Sequence, residues 1–271
     1  MSTTVRGVES VLRRCRDEGR AALVGYLPVG FPTVEGSIEA MRVLVESGCD
    51  VVEVGIPYSD PLMDGPVIQH AVATALAGGA RVDDVFAATS AVADAGGAAL
   101  VMTYWNLVMR RGVERFAADL AANGGSGLIT PDLIPEEAGD WVAASDAHGL
   151  DRVFLVAPSS TTERLTKVAA ATRGFVYAAS TMGVTGARTS VDSDARGLVE
   201  RTRAVTDLPV CVGLGVSTGA QAAELAAYCD GVIVGSALVR TLTGPGELDD
   251  RLDALRALTT ELADGVRTGR R

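Results

Sequence analysis

Residues Asp50 to Gln69 read DVVEVGIPYSDPLMDGPVIQ, a short apolar run that leads into an acidic loop. Val51, Val52, Val54 and Ile56 are β-branched, so residues 50–56 predict a buried strand. Glu53 interrupts it. A carboxylate among such neighbours loses hydration when ionised, which raises its pKa and suits it to carry a proton near neutral pH. Pro57, Pro61, Gly65 and Pro66 then exclude regular structure, so Asp60 and Asp64 ride on a loop at the strand's C-terminal end. A buried and a solvated carboxylate close together predict two distinct proton-transfer roles.

Outward from this stretch, strand-like and helical runs alternate. Strands are expected at 21–28, 50–56, 98–103, 127–131, 152–157, 174–179, 208–214 and 231–234. Helical runs lie between them at 35–47, 67–77, 82–95, 112–123, 135–148, 162–171, 192–205 and 218–227, and a long helix at 247–265 ends the chain. An amphipathic helix over 4–18, with Val5, Val8, Val11, Leu12 and Cys15 on one face, precedes the first strand and suits a cap over one end of the core. Such alternation means a parallel sheet covered on its faces. Eight strand–helix units, with no GxGxxG after the first strand, favour a closed (β/α)8 TIM barrel over an open doubly wound sheet. No linker or composition shift interrupts residues 1–271, so a single barrel domain with an extra N-terminal helix is expected.

The bulk properties narrow the function. A net charge of −10 argues against a general nucleic-acid binder, and an anionic ligand would need a local site. No apolar run reaches the roughly 18 residues of a spanning helix, and the first residues carry acids and no apolar signal core, so a cytoplasmic location without membrane association is expected. Cys15, Cys49, Cys211 and Cys229 show no CxxC spacing and read as small buried residues. Lys167, the only lysine, lies on a helical run, which removes the strand-borne Schiff base of a class I aldolase. His70 and His148 also lie on helical runs, misplaced for a metal-dependent aldolase.

In a barrel of this kind the chemistry collects at the C-terminal strand ends, and phosphate often binds the loops after strands seven and eight. Gly213 to Ser217 (GLGVS), Gly235-Ser236 and Gly183 to Gly186 (GVTG) stand after strands seven, eight and six. Glycine lets backbone N–H groups approach an anion closely.

The segment GIPYSDPLMDGPVIQ resembles the signature of the tryptophan synthase alpha subunit family, which cleaves indole-3-glycerol phosphate. Tyr26 with the following LPVGFP, Tyr104-Trp105-Asn106, Pro131-Asp132-Leu133 and the three glycine loops extend the resemblance over nearly the whole chain. It implies that Glu53 and Asp64 are the catalytic pair, with Tyr177 assisting near the glutamate, although a strand tyrosine can equally be a packed side chain. It further implies phosphate binding by Gly186, Gly215, Gly235 and Ser236, and an indole pocket or loop made with Tyr26, Met102, Tyr104, Asp132 and Thr185. Asp60 reads as a structural loop residue, and Met63 stands where the family often has a small neutral residue.

The implied reaction is retro-aldol cleavage to indole and glyceraldehyde 3-phosphate, with no metal and no cofactor in this chain. Pyridoxal phosphate is expected only in a partner beta subunit, within an α2β2 tetramer. Residues 58–66 and 180–190 are expected to close over substrate. Two alternatives stay open: a stand-alone indole-releasing lyase, and a mainly regulatory subunit with weak activity of its own.

Overall fold

Ala22–Pro28 (β1), Val51–Gly55 (β2), Ala98–Met102 (β3), Gly125–Ile129 (β4), Asp151–Val153 (β5), Leu155–Val156 (β6), Val176–Ala179 (β7), Val210–Gly213 (β8) and Gly231–Val234 (β9) form one parallel sheet in a computed structural model of the chain. The structure describes residues 7–61, 63–179, 193–213, 215–244 and 246–269. The strands pair in the order β5-β4-β3-β2-β1-β9-β8-β7-β6. Its two ends, β5 and β6, are separated in the chain only by Phe154, so the sheet curls round into a (β/α)8 barrel. The single strand expected at 152–157 is therefore two short ones, because its first half pairs with β4 and its second with β7.

The helices are Val8–Asp17 (α1), Val34–Glu46 (α2), Pro66–Ala77 (α3), Asp84–Asp94 (α4), Trp105–Arg111 (α5), Val113–Ala122 (α6), Gly139–His148 (α7), Thr162–Ala171 (α8), Ser193–Arg203 (α9), Gly219–Ala226 (α10), Ser236–Thr241 (α11) and Leu248–Thr268 (α12). Several start where local chemistry dictates. The side chains of Thr33, Thr161 and Thr218 each accept an otherwise unpaired N–H of the first turn, and Pro66 stands at the head of α3. The sequence expectation missed α5 as a helix and ended α12 at Gly265, three residues short of its end at Thr268. The expected helix at 135–148 is a 3-10 turn, Pro135–Glu137, followed by α7.

Strand residues alternate between two cores. Leu23, Val52, Val54, Ala99, Val101 and Leu128 face the helices, while Ala22, Val24, Val51, Leu100, Ile129, Phe175, Cys211 and Ile233 fill the barrel interior. Val8, Val11, Leu12 and Cys15 of α1 pack on that interior set and close the N-terminal end of the barrel, the capping role expected of them. The Val8 N–H, which has no partner inside its own helix, donates to Asp151 Oδ2 at 2.6 Å. All four cysteines are buried and free. Among the described residues no helix is long and apolar enough to cross a membrane.

Candidate active site

Glu53 sits in the middle of β2, paired in register with Tyr26 of β1 and Leu100 of β3. It is only 1% exposed, and its Oε1 finds no hydrogen-bond partner among the described residues. Burial pushes its pKa from the ordinary carboxylate value up to about 8. At that value the carboxyl keeps its proton at neutral pH.

Two interior tyrosines flank it. The Tyr26 ring leans toward the C-terminal end of the barrel and covers Gly55, where a methyl group would come within 2.5 Å of its hydroxyl. Tyr177 does the same over Gly213, at 2.6 Å. β7 stands across the barrel from β2 in the strand order, so Tyr177 faces Glu53 over the interior. Burial first, and then the Glu53 charge, keep the Tyr177 hydroxyl neutral well above its usual range. For Tyr26, burial and then the charges of Asp64 and Glu53 keep the hydroxyl neutral well above its usual range.

Asp64 lies on the loop after β2, just before α3. Partial burial raises its pKa. Together with Tyr26, Ile56, Met63, Met102, Thr103, Tyr104 and Pro131 it lines an open cleft at the C-terminal end of the strands. Tyr26, Met102 and Tyr104, named among the expected indole pocket or loop residues, line this cleft, and so do Ile56 and Thr103, which were not named. Both directly follow strand ends, a position where side chains face a barrel's mouth. Asp132 does not line this cleft; its carboxylate accepts the Trp105 N–H at 3.0 and 3.1 Å and caps α5. Asp60 is an exposed loop residue that accepts from the Ser59 hydroxyl at 2.6 Å.

Gly215 follows β8 with φ +49, a left-handed conformation that suits glycine. Gly235 follows β9, and a methyl group on it would lie 3.5 Å from the Tyr26 ring, so this loop borders the cleft. Ser236 starts α11 next to it. Thr185, Gly186 and the whole of 180–190 lie outside the described residues, as does Leu62 in the acidic loop. Lys167 is exposed on α8 and pairs with Glu136 at 3.8 Å; His148 pairs with Glu114 at 2.7 Å, and His70 is exposed.

A family model described as the tryptophan synthase alpha chain matches residues 12–267. The tryptophan synthase alpha chain of Mycobacterium marinum is 64% identical over 253 residues, covering 93% of this chain and 92% of that one. Its counterpart from Thermobifida fusca is 61% identical over 269 residues, covering 97% and 100%. A solved structure of Mycobacterium tuberculosis tryptophan synthase superposes with a TM-score of 0.91 at 61% identity, covering 97% of this chain and 98% of that one.

Proposed function

This chain belongs to the tryptophan synthase alpha chain family, and from that membership we propose how its own residues carry out the family's reaction. The reaction is the cleavage of indole-3-glycerol phosphate to indole and glyceraldehyde 3-phosphate in tryptophan biosynthesis. The chain is a lyase that works as the alpha subunit beside a beta subunit.

Breaking the bond between indole C3 and glycerol C3′ requires that C3 gain a proton and that the C3′ hydroxyl lose one. Glu53, protonated at neutral pH, gives its proton to C3 and forms the indoleninium cation. The ring nitrogen becomes positive at that step, and the Asp64 carboxylate holds its N–H and stabilises the charge. Glu53, now ionised, takes the hydroxyl proton as the carbon–carbon bond breaks, its electron pair returning to the ring. Indole and the aldehyde leave, and Glu53 has regained its proton. Tyr177 faces Glu53 and steadies its ionised form with a neutral hydroxyl.

The phosphate rests on backbone N–H groups around Gly215, Gly235 and Ser236, joined by Gly186. In a chain of net charge −10, amide groups supply the local attraction that the overall charge does not. Every proton movement is served by carboxylates of this chain, so the step needs no cofactor here, and pyridoxal phosphate belongs to the beta subunit.

The observation that supports this reading best is a buried strand glutamate whose Oε1 has no hydrogen-bond partner among the described residues, beside the tyrosine that lines the Asp64 cleft. The test is indole release by wild type, Glu53→Gln and Asp64→Asn, each with and without the beta subunit. We expect active wild type, acceleration by the partner, and losses of roughly a hundredfold or more in both variants with retained glycerol 3-phosphate binding. Inactive wild type that still stimulates the beta subunit would make the chain a regulatory subunit. Full activity without a partner would make it a stand-alone lyase.

A further inference from the structure

We infer that the corner between β3 and α5 is a positioning device for Asp64, in which the Tyr104 hydroxyl and the Asn106 carboxamide hold the acidic loop. The inference rests on the reading that Asp64 meets the indole N–H. Between β2 and α3 the described residues of that loop form no helix or strand, so no ladder of backbone bonds fixes where the carboxylate lies. Side-chain contacts do so instead. The N–H of Met63, the residue before Asp64, donates to the Tyr104 hydroxyl at 3.2 Å. Earlier in the loop, the Tyr58 ring lies on the Tyr104 ring with centroids 4.8 Å apart, and the Tyr58 hydroxyl accepts from Asn106 Nδ2 at 3.2 Å. Beyond Asp64, Gln69 Nε2 donates to the Asp64 carbonyl at 2.9 Å.

The corner is rigid enough to serve as a reference point. Tyr104 is buried, and the next residue, Trp105, has its N–H held by both oxygens of Asp132 from the loop after β4. A path of contacts thus runs from Asp132 through Trp105 and Tyr104 to Met63, one peptide unit from the carboxylate. None of these bonds needs to touch the reacting atoms. Their value lies in placement, since a misplacement of about 1 Å can cost roughly a hundredfold in rate.

The experiment uses the assembled complex with the beta subunit and the variants Tyr104→Phe, Asp64→Asn and the two combined. Tyr104→Phe keeps the ring, its tilted contact with Tyr58 and the shape of the cleft, and removes the acceptor. We expect kcat for indole release to fall roughly tenfold with KM for indole-3-glycerol phosphate within about twofold of wild type. Hydrogen exchange at the Met63 amide should quicken. In the Asp64→Asn background the same change should cost nothing further, because it acts through the carboxylate already removed. Unchanged kcat in Tyr104→Phe, or an equal loss in both backgrounds, overturns the inference; the second result would mean that the hydroxyl meets substrate directly. Asp64→Asn with wild-type kcat instead removes the underlying assignment of Asp64. Should Tyr104→Phe not assemble, Asn106→Ala carries the same cycle from an exposed position, with the same outcomes deciding.

Discussion

Glu53 keeps its proton in the folded chain up to about pH 8, whereas an unperturbed glutamate loses it near 4.5. Between those values the unfolded chain binds fewer protons than the folded one, so this group's contribution to stability falls as pH rises through the window and is constant on either side. Glu53→Gln is neutral in both states and lacks that slope. Urea unfolding at about pH 5 and about pH 8.5 should show the variant gaining on wild type by a few kcal/mol as pH rises; parallel behaviour would remove the buried proton from the account. For catalysis the same ionisation predicts that kcat/KM for indole-3-glycerol phosphate declines on the alkaline side near pH 8. This much was legible in residues 50–56, because a β-branched run marks a strand buried on both faces, so a carboxylate within it is desolvated whichever face it takes. Its company was not. Tyr177 faces Glu53 only because the barrel closes and sets β7 opposite β2.

At the scale of elements, the two tyrosines and two glycines form a repeated pattern. Tyr26 pairs with Glu53 and its ring covers Gly55; Tyr177 pairs with Cys211 and its ring covers Gly213. Each glycine leaves the room its neighbour's ring occupies. Gly55→Ala should therefore push Tyr26 toward the cleft, lowering stability by about 1–3 kcal/mol and raising KM for indole-3-glycerol phosphate. Urea midpoints and steady-state kinetics on one preparation would check both, and an unaltered KM would mean that the ring yields in another direction. The strand–helix alternation was readable because its periodicities are local. The start of α5 was not, since the carboxylate that caps it comes from Asp132, far along the chain. The resemblance identified Asp132 as a pocket or loop residue, and the contact that defines its place arises only once β3 and β4 lie side by side.

For the molecule as a whole, α12 returns across the chain to support the region that follows β8. Glu261 accepts the Gly219 N–H at 2.7 Å, and a methyl group on Gly265 would overlap the Gly219 carbonyl, so α10 and α12 touch backbone to backbone. Gly265→Ala should force the two helices apart, with a cost of about 1–3 kcal/mol in unfolding free energy. Gly197→Ala on α9, where the added methyl meets nothing, is the control and should stabilise by roughly 0.5–1 kcal/mol. Similar urea midpoints for the two would show that the close approach is not needed. The N-terminal helix acts on the molecule in another way. With Val8, Val11, Leu12 and Cys15 seated against the interior residues, the barrel is a cul-de-sac. Among the described residues its closed end offers no second way out, so a ligand taken in at the C-terminal ends of the strands leaves by the same doorway. Whatever rests on that doorway regulates traffic in both directions at once.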